Sequence, residues 1–532
     1  MLPRWPVKTP AEHSASLARI SSSLRAQDAI SAFAGGALPH TILSSCQGTL
    51  LDMLDTRAVL PLRAACKDAA AAVAQHPWDD LSTVIQGNLG PALLQAAPGW
   101  APGVQKGAWR ACFPRARGAC VSGRRAAPVV DADFAHLAGL QHLNMSYCRS
   151  VTDAAFPLLG GSLRALDMRH CRQAALTDAA FAHLQGLHSL YCDGCSQLSD
   201  AALAHLVPPG GGASTLRVLS MRSCRQFTDA GFAHLRGLRT LDMQGCYQAT
   251  ITDAAFEPLA GSLRSLNMSE CRQAGITDAA FAHLRGCQEL SMSRCHQLTS
   301  AALARLGPGL VALDISYCKQ PELGDAAFEA LRGSIRRLEM TGCCQDTITD
   351  AAFAHLAGIQ SLDMSECSQA TITDAAFVHL AGIQRLAMRK CCQAGITDAA
   401  FAPLAGSIED LSIVLCSQVG ITDAAFAHFG PSVKKLDMAE CTQRVRGWRA
   451  RRGGGRGRSF ALAARAGSLP RPFFFPLSPA PFLHTHALAD HYRRRLSAPE
   501  GRTRAELEPV HAGHHHHCRA GAPGGAQGNQ AA

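Results

Sequence analysis

The chain has 532 residues, of which 51 are Lys or Arg and 41 are Asp or Glu, and 47% of its residues are hydrophobic. This apolar content is ordinary for a globular protein and excludes a chain that is disordered throughout. No stretch reaches the roughly 18 uninterrupted apolar residues of a membrane-spanning helix, so no span is expected. The basic excess lies after residue 443, which leaves a nearly neutral body and does not favour a duplex-binding surface.

Residues 36 to 79 carry the pattern of two short amphipathic helices. Ile42, Cys46, Leu50 and Leu54 recur every four residues, which places them on one side of a helix. A second helix is predicted to begin near residue 55. Two or three short helices make a domain too small to be an enzyme by itself.

This segment resembles an F-box, the module by which substrate receptors of SCF-type ubiquitin ligases bind their adaptor. The resemblance is carried by a Leu-Pro pair at the start, an apolar group in the middle and a Cys-Lys pair near the end, although Ala70 stands where the family commonly has Trp. It implies that the adaptor is bound by Leu38, Pro39, Ile42, Leu43, Leu54, Val59, Leu60, Leu62, Cys66 and Lys67. The alternative is that these helices only cap the segment that follows.

An internal repeat dominates the rest of the chain. Thirteen times an apolar residue is followed by two others, Leu, one other, an apolar residue that is usually Met, two others and Cys. The repeated cysteines are Cys148, Cys171, Cys195, Cys224, Cys246, Cys271, Cys295, Cys318, Cys343, Cys367, Cys391, Cys416 and Cys441. A long interval between the third and fourth contains Pro208 and Pro209 and predicts a surface loop.

Each repeat has two halves with different periodicity. Leu362 and Met364 flank a polar residue, the alternation of a short strand with one buried face. Thr373 and Asp374 then open a short apolar segment that stops at Gly382, which predicts a capped helix of about two turns. Units this small bury a core only by stacking, so the sequence predicts a solenoid.

The unit resembles the cysteine-containing subtype of the leucine-rich repeat. The resemblance rests on the short strand, the Cys turn and the Thr-Asp helix start, and it implies an α/β fold with a curved parallel sheet and short helices outside it. We therefore expect a leucine-rich-repeat solenoid, a small all-α F-box-like domain before it and a disordered tail after it. The predicted boundaries are a flexible amino terminus at 1–35, the F-box-like domain at 36–79, a connection at 80–112, a capping repeat at 113–130, thirteen repeats at 131–443 and the Arg/Gly/Pro-rich tail at 444–532.

The residue after the strand Leu should face away from the core, on the concave side of the sheet. Across the thirteen repeats six of these residues are acidic and none is basic, so a negative stripe is expected there, and with it a protein partner that carries a basic segment. The alternative is that Asp was copied together with the repeat. The candidate substrate-binding residues are Asp167, Tyr191, Asp242, Asp314, Glu339, Asp363 and Asp437.

The sequence indicates no chemistry of its own. One thiol per strand does not converge on a metal, and neither a phosphate-cradling Gly loop nor a nucleophile with a base is present, so we expect no cofactor, no metal and no enzymatic activity. Regularly spaced cysteines without a secretory signal predict free thiols in the cytoplasm or nucleus.

An F-box followed by cysteine-type repeats is the arrangement of one class of ubiquitin-ligase substrate receptors. The resemblance implies a non-enzymatic receptor that ties the SCF adaptor and cullin to a bound protein for ubiquitination and proteasomal degradation, acting by proximity. The rival interpretation is a free-standing leucine-rich-repeat scaffold for protein binding. Neither membrane association nor specific nucleic-acid binding is expected.

Overall fold

The computed structural model describes residues 51, 59, 67–84, 108–123, 129–210, 212–429, 432–439 and 460–461. Within these residues one open sheet of sixteen strands runs in sequence order. The first fifteen strands pair in parallel, and the last, of two residues, pairs antiparallel with the fifteenth. This is the leucine-rich-repeat solenoid that the repeat predicts.

The strands are short and almost all have three residues. They are β1 Asp79–Val84, β2 Gly118–Cys120, β3 His142–Asn144, β4 Ala165–Asp167, β5 Ser189–Tyr191, β6 Val218–Ser220, β7 Thr240–Asp242, β8 Ser265–Asn267, β9 Glu289–Ser291, β10 Ala312–Asp314, β11 Arg337–Glu339, β12 Ser361–Asp363, β13 Arg385–Ala387, β14 Asp410–Ser412, β15 Lys435–Asp437 and β16 Phe460–Ala461.

The helices that alternate with them are one or two turns long. The α-helices are Lys67–Gln75, Ala108–Cys112, Asp200–His205, Asp229–Phe232, Ser300–Leu306, Asp325–Glu329, Asp350–Phe353, Asp374–Val378 and Asp423–Ala427. The 3-10 helices are Asp131–Leu137, Asp153–Leu159, Asp178–His183, Asp253–Leu259, Asp278–Leu284, Ala354–Leu356 and Asp398–Leu404. In the part of the chain that the structure describes, no helix is long and apolar enough to cross a membrane.

A threonine, or serine at Ser199, and an aspartate join most of the described repeats to the next. Thr373 is the amino-terminal cap of its own helix, since its Oγ1 accepts a hydrogen bond from the Ala375 amide at 3.3 Å. The same hydroxyl donates to Asp350 Oδ2 of the preceding repeat at 2.6 Å, and the Thr373 amide donates to the other carboxylate oxygen at 2.7 Å. The bonds recur along the solenoid but are replaced at Ser300, whose Oγ accepts from the Gly324 amide.

The repeated cysteines form a second set of ties between repeats. Cys367 Sγ donates to the Met340 carbonyl oxygen of the preceding repeat at 3.2 Å, and the same bond is made at each described repeat from Cys148 to Cys416. Burial raises the pKa of Cys148 to about 12, so this thiol stays protonated. These cysteines are free and buried, as predicted. Among the described residues no group of three or more His, Cys, Asp or Glu could hold a metal ion.

The sheet begins earlier than the repeat pattern shows. Trp78 is buried, and its carbonyl oxygen accepts hydrogen bonds from the amides of Arg117 and Gly118 at 2.6 and 3.1 Å. β1 follows directly and pairs with β2, so the segment predicted as a connection starts with a strand of the sheet. Among the predicted adaptor-binding residues, Val59 is fully buried in the core shared with the repeats, and Lys67 begins a helix; the other eight lie outside the described residues.

Candidate protein-binding face

The residues that follow the strand leucines form one ladder across the sheet. Leu362 on β12 is buried in register with its equivalents on the neighbouring strands, and Asp363 stands beside Glu339 and Ala387. Because successive side chains of a strand point to opposite faces, these residues lie on the face opposite the core, as predicted. The concave ladder is Asn144, Asp167, Tyr191, Ser220, Asp242, Asn267, Ser291, Asp314, Glu339, Asp363, Ala387, Ser412 and Asp437.

The seven candidate residues of this ladder differ in exposure. Four of them are buried by their neighbours although they point away from the core: Asp167, Tyr191, Asp242 and Asp314. The other three are half-buried: Glu339, Asp363 and Asp437. The accessible acidic surface therefore lies toward the carboxyl-terminal repeats, and no function for any of the seven follows from exposure alone.

The acids of the amino-terminal half are neutralised by arginines. Arg169 donates through Nη2 and Nε to the two carboxylate oxygens of Asp167, at 2.6 and 2.9 Å. Arg222 Nε donates to Asp242 Oδ2 at 2.5 Å, and Asn267 Nδ2 donates to the other oxygen at 2.9 Å. Burial nevertheless raises the pKa of Asp242 to about 6, against the opposing effect of Arg222. These two acids are structural ion pairs with little negative potential left for a ligand.

Three acids in the carboxyl-terminal half have no arginine or lysine ion-pair partner among the residues that the structure describes. Asp314, Glu339 and Asp363 stand on adjoining strands, which lie about 4.8 Å apart in a sheet. We call them the acidic triad. Asp314 accepts hydrogen bonds from the Ser291 hydroxyl at 2.8 Å and the Ser316 amide at 2.9 Å, and both donors are neutral.

Glu339, in the middle of the triad, has the most perturbed environment. Within the described residues its carboxylate accepts no hydrogen bond, and Arg337 on the same strand pairs instead with Glu289 at 3.1 Å. Burial and then the charges of Asp314 and Asp363 raise the pKa of Glu339 to about 8, although Arg337 opposes them. A carboxyl whose pKa is raised by burial first and then by two neighbouring acids is a site where a cation would be favoured.

A row of left-handed residues borders this face at the carboxyl ends of the strands. Before each repeated cysteine from Cys148 to Cys416, which are those that the structure describes, stands a residue with a φ near 60°, a region that favours glycine. Three repeats have glycine there, at Gly194, Gly245 and Gly342, and the other described repeats have Tyr147, His170, Ser223, Glu270, Arg294, Tyr317, Glu366, Lys390 and Leu415. Sequence reasoning missed this row, although the three glycines at one repeat position were a signal for it.

The side chains of this row interlock beside the acidic triad. The Arg294 guanidinium lies 4.6 Å from the centre of the Tyr317 ring, and the Tyr317 hydroxyl donates to Glu366 Oε2 at 3.2 Å. Lys390 Nζ donates to the other oxygen of Glu366 at 2.8 Å. Tyr317 reaches across an entire repeat because Gly342 lies beneath it: a Cβ there would stand 2.6 Å from two ring atoms. The arrangement gives the triad a fixed polar and aromatic border.

The comparisons with known proteins do not assign this chain to a protein family. No protein-family model matches the chain, and no curated protein matches it. Among solved structures, a chain of the Drosophila Toll–Spatzle complex is 15% identical with a TM-score of 0.46 over 62% of this chain and 44% of that chain. A leucine-rich-repeat protein of Leptospira interrogans is 14% identical with a TM-score of 0.46, covering 62% of this chain and 80% of its own.

A third similar structure is the yeast Rad7 and Elc1 complex, at 17% identity and a TM-score of 0.35, covering 58% of this chain and 83% of that chain. This chain thus spans less than half the length of the matched Toll chain. The binding partners named for these structures belong to those proteins and are not assigned to this chain. The repeat fold of this chain rests on its own strand register and on the bonds between its repeats.

Proposed function

We propose that this chain is a non-enzymatic receptor for a protein, and that the carboxyl-terminal half of its concave ladder takes a basic segment of that partner. The observation that carries the proposal is the contrast between a uniform core and a varied face. Core positions repeat Leu, Cys and Phe, whereas the concave ladder changes from Asp to Tyr, Ser, Asn, Glu and Ala over continuous parallel strands. Repeat proteins use such extended concave surfaces to bind other chains.

The acidic triad supports this position for the contact. A partner Arg or Lys beside Glu339 would favour its ionised form, so binding near neutral pH would release a proton from this carboxyl, whose pKa is about 8. Affinity for a basic segment should therefore rise between pH 7 and pH 9. The neutralised pairs at Asp167 and Asp242 offer no comparable gain.

The experiment is fluorescence anisotropy with an Arg-rich peptide and an Asp/Glu-rich peptide of equal length. The isosteric variant Asp314→Asn, Glu339→Gln, Asp363→Asn should lose about tenfold or more in affinity for the Arg-rich peptide. A control with the same number of carboxyl-to-amide changes uses exposed acids off the ladder: Glu257→Gln, Glu329→Gln, Asp346→Asn. Equal loss in both variants would reduce the effect to net charge and reject the triad as the contact.

We further propose that the receptor works in an SCF ubiquitin ligase in the cytoplasm or nucleus, recruited through its F-box-like segment. The support is the resemblance of residues 36 to 79, together with their place before the repeats. The full chain should co-purify with the SCF adaptor and cullin, and the variant Leu38→Ala, Pro39→Ala should not. Absence of capture by either protein would favour the rival, a free-standing binding scaffold whose helices cap the solenoid.

A further inference from the structure

A second candidate site lies at the amino-terminal ends of the strands, at the opposite end from the left-handed residues. A cavity of about 400 Å³ opens at the amino-terminal ends of β6, β7 and β8. Its lining consists of three arginines, two glycines and a serine: Arg217, Gly237, Arg239, Gly261, Ser262 and Arg264. No acidic residue contributes to this lining, so its net charge is positive.

The strand register brings the three arginines together. Each stands directly before its strand, and the Arg217 carbonyl oxygen accepts from the Arg239 amide at 2.9 Å. The Arg239 carbonyl oxygen accepts in turn from the Arg264 amide at 2.8 Å. Adjacent strands lie about 4.8 Å apart, so three cationic side chains start from neighbouring points of one edge.

We compared the residues that directly precede the strands of the thirteen repeats, and we call them the strand-start row. Three adjacent arginines occur at only one place in it. The residues at this position are Gln141, Arg164, His188, Arg217, Arg239, Arg264, Gln288, Val311, Arg336, Gln360, Gln384, Glu409 and Lys434. Elsewhere in the row an arginine has neutral or unlike neighbours. Clustering like charges is unfavourable unless an anion compensates for it, which sets these repeats apart from the others.

The outer two arginines are held in place and the middle one is not. Arg217 Nη1 donates to the carbonyl oxygens of Ser214 and Leu216, at 3.0 and 2.9 Å, and Arg264 Nη1 donates to the Gly286 carbonyl oxygen at 3.0 Å. The side chain of Arg239 makes no hydrogen bond or ion pair with any residue that the structure describes. Its donors remain available to a ligand.

We propose that this cavity binds a phosphate group, either free or carried by a larger molecule. Guanidinium groups present N–H donors in a planar fork that matches phosphate oxygens, and three arginines line this cavity. The volume is near the lower end of the range for ligand pockets, about 300 Å³ and above, and leaves room for more than one phosphate. This site does not depend on the proposed receptor function, because it uses other residues on the other edge of the sheet.

Calorimetric titration of the full chain tests the site with inorganic phosphate, pyrophosphate, phosphoserine, serine and acetate as probes. Phosphate-bearing probes should bind and serine should not, and Arg239→Ala should lower the affinity by about tenfold or more. Arg239→Lys keeps the positive charge but lacks the planar set of guanidinium N–H donors, so it should retain an intermediate affinity. Since the Arg239 side chain bonds to no described residue, both variants should keep the melting temperature of the native chain.

Arg336→Ala is the matched control, because Arg336 occupies the same repeat position without arginine neighbours in the row. It should bind every probe as the native chain does. Equal losses in Arg239→Ala and Arg336→Ala, or equal binding of acetate and phosphate, would overturn the proposal by reducing it to nonspecific charge. Phosphoserine binding more tightly than pyrophosphate would assign the phosphate to a modified protein, and the reverse order would assign it to a free polyphosphate.

Discussion

Asp242 on β7 and Glu339 on β11 occupy the same position of the repeat, yet their carboxylates have different surroundings. Arg222, which comes from the repeat before Asp242, donates to it at 2.5 Å. The equivalent residue one repeat before Glu339 is Ser316, which offers this carboxylate no charge. A ladder position thus fixes where an acid points, whereas the residue on the preceding repeat decides whether its charge remains available.

The comparison also separates stability from binding. Asp242 is compensated and buried, so its pair contributes to one fixed structure and offers little to a partner. Glu339 is half-buried, and burial together with two neighbouring acids outweighs the opposing effect of Arg337 on its pKa. We expect changes at Asp242 to alter the free energy of unfolding most and changes at Glu339 to alter binding and pH dependence most.

The largest effect is expected from Arg222→Ser, which gives the amino-terminal half the residue found beside the triad. Loss of the cation leaves Asp242 buried without a charged partner and should lower the free energy of unfolding by about 3 kcal/mol at pH 7.5. At pH 5, below the raised pKa of about 6, the carboxyl is protonated and the cost should be much smaller. Urea denaturation at the two pH values measures both.

Asp242→Asn is the control for this effect, because it removes the charge and leaves Arg222 partly exposed. It should cost less than Arg222→Ser, and the double variant should regain most of the loss. A cost of Arg222→Ser that is the same at both pH values would show that packing, and not the carboxylate charge, accounts for the difference.

A smaller effect is expected from Ser316→Arg, which gives the triad the cation of the other half. The folded chain holds the Glu339 proton more tightly than the unfolded chain, so stability should fall as pH rises from about 4.5 to 8. The introduced Arg should lower this pKa and reduce the fall, by about 1 kcal/mol after solvent screening.

The thermal midpoint of Ser316→Arg between pH 5 and pH 9 provides the measurement, with Glu339→Gln as a reference that cannot ionise. The two variants should show a similarly flattened pH profile, and Ser316→Arg should also weaken binding of the Arg-rich peptide. A native profile that is already flat over this range would reject the assignment of the raised pKa to Glu339.

The sequence was sufficient to predict the fold of the repeats but not the ion pairs and pKa shifts of their acidic residues. Leu362, Met364 and Thr373 carry periods and caps that act within one repeat, and the structure confirms the strand and helix they predict. β1 was missed because Asp79–Val84 contains Leu81 but has Thr83 where the repeat usually has Met, and no Cys follows it at the repeat spacing. The helix at Asp374–Val378 ends before Gly382, whose φ of 91° belongs to the turn that follows it.

The concave ladder was predictable because alternation alone determines which residues leave the core. The ion pairs of the ladder acids were not predictable, since Arg222 and Asp242 are 20 residues apart and belong to different repeats. The arginine cavity was missed for the same reason: Arg217, Arg239 and Arg264 become neighbours only when three strands are placed in register. Aligning the repeats by position, beyond their core residues, would have shown both.

The smallest effect is expected from Lys390→Ala at the border of the triad. Lys390 and Glu366 form an ion pair at 2.8 Å, but their side chains are 56% and 35% exposed, in contrast to the 2% of Asp242. Water and side-chain entropy leave such pairs little net stability, so the free energy of unfolding should change by less than about 0.5 kcal/mol. Urea denaturation at low and high salt measures the change, and Tyr317→Phe is a second variant that removes only the other bond to Glu366. A loss above about 1 kcal/mol would mean that the border acts as a cooperative network, so that both halves of the concave face contribute to stability.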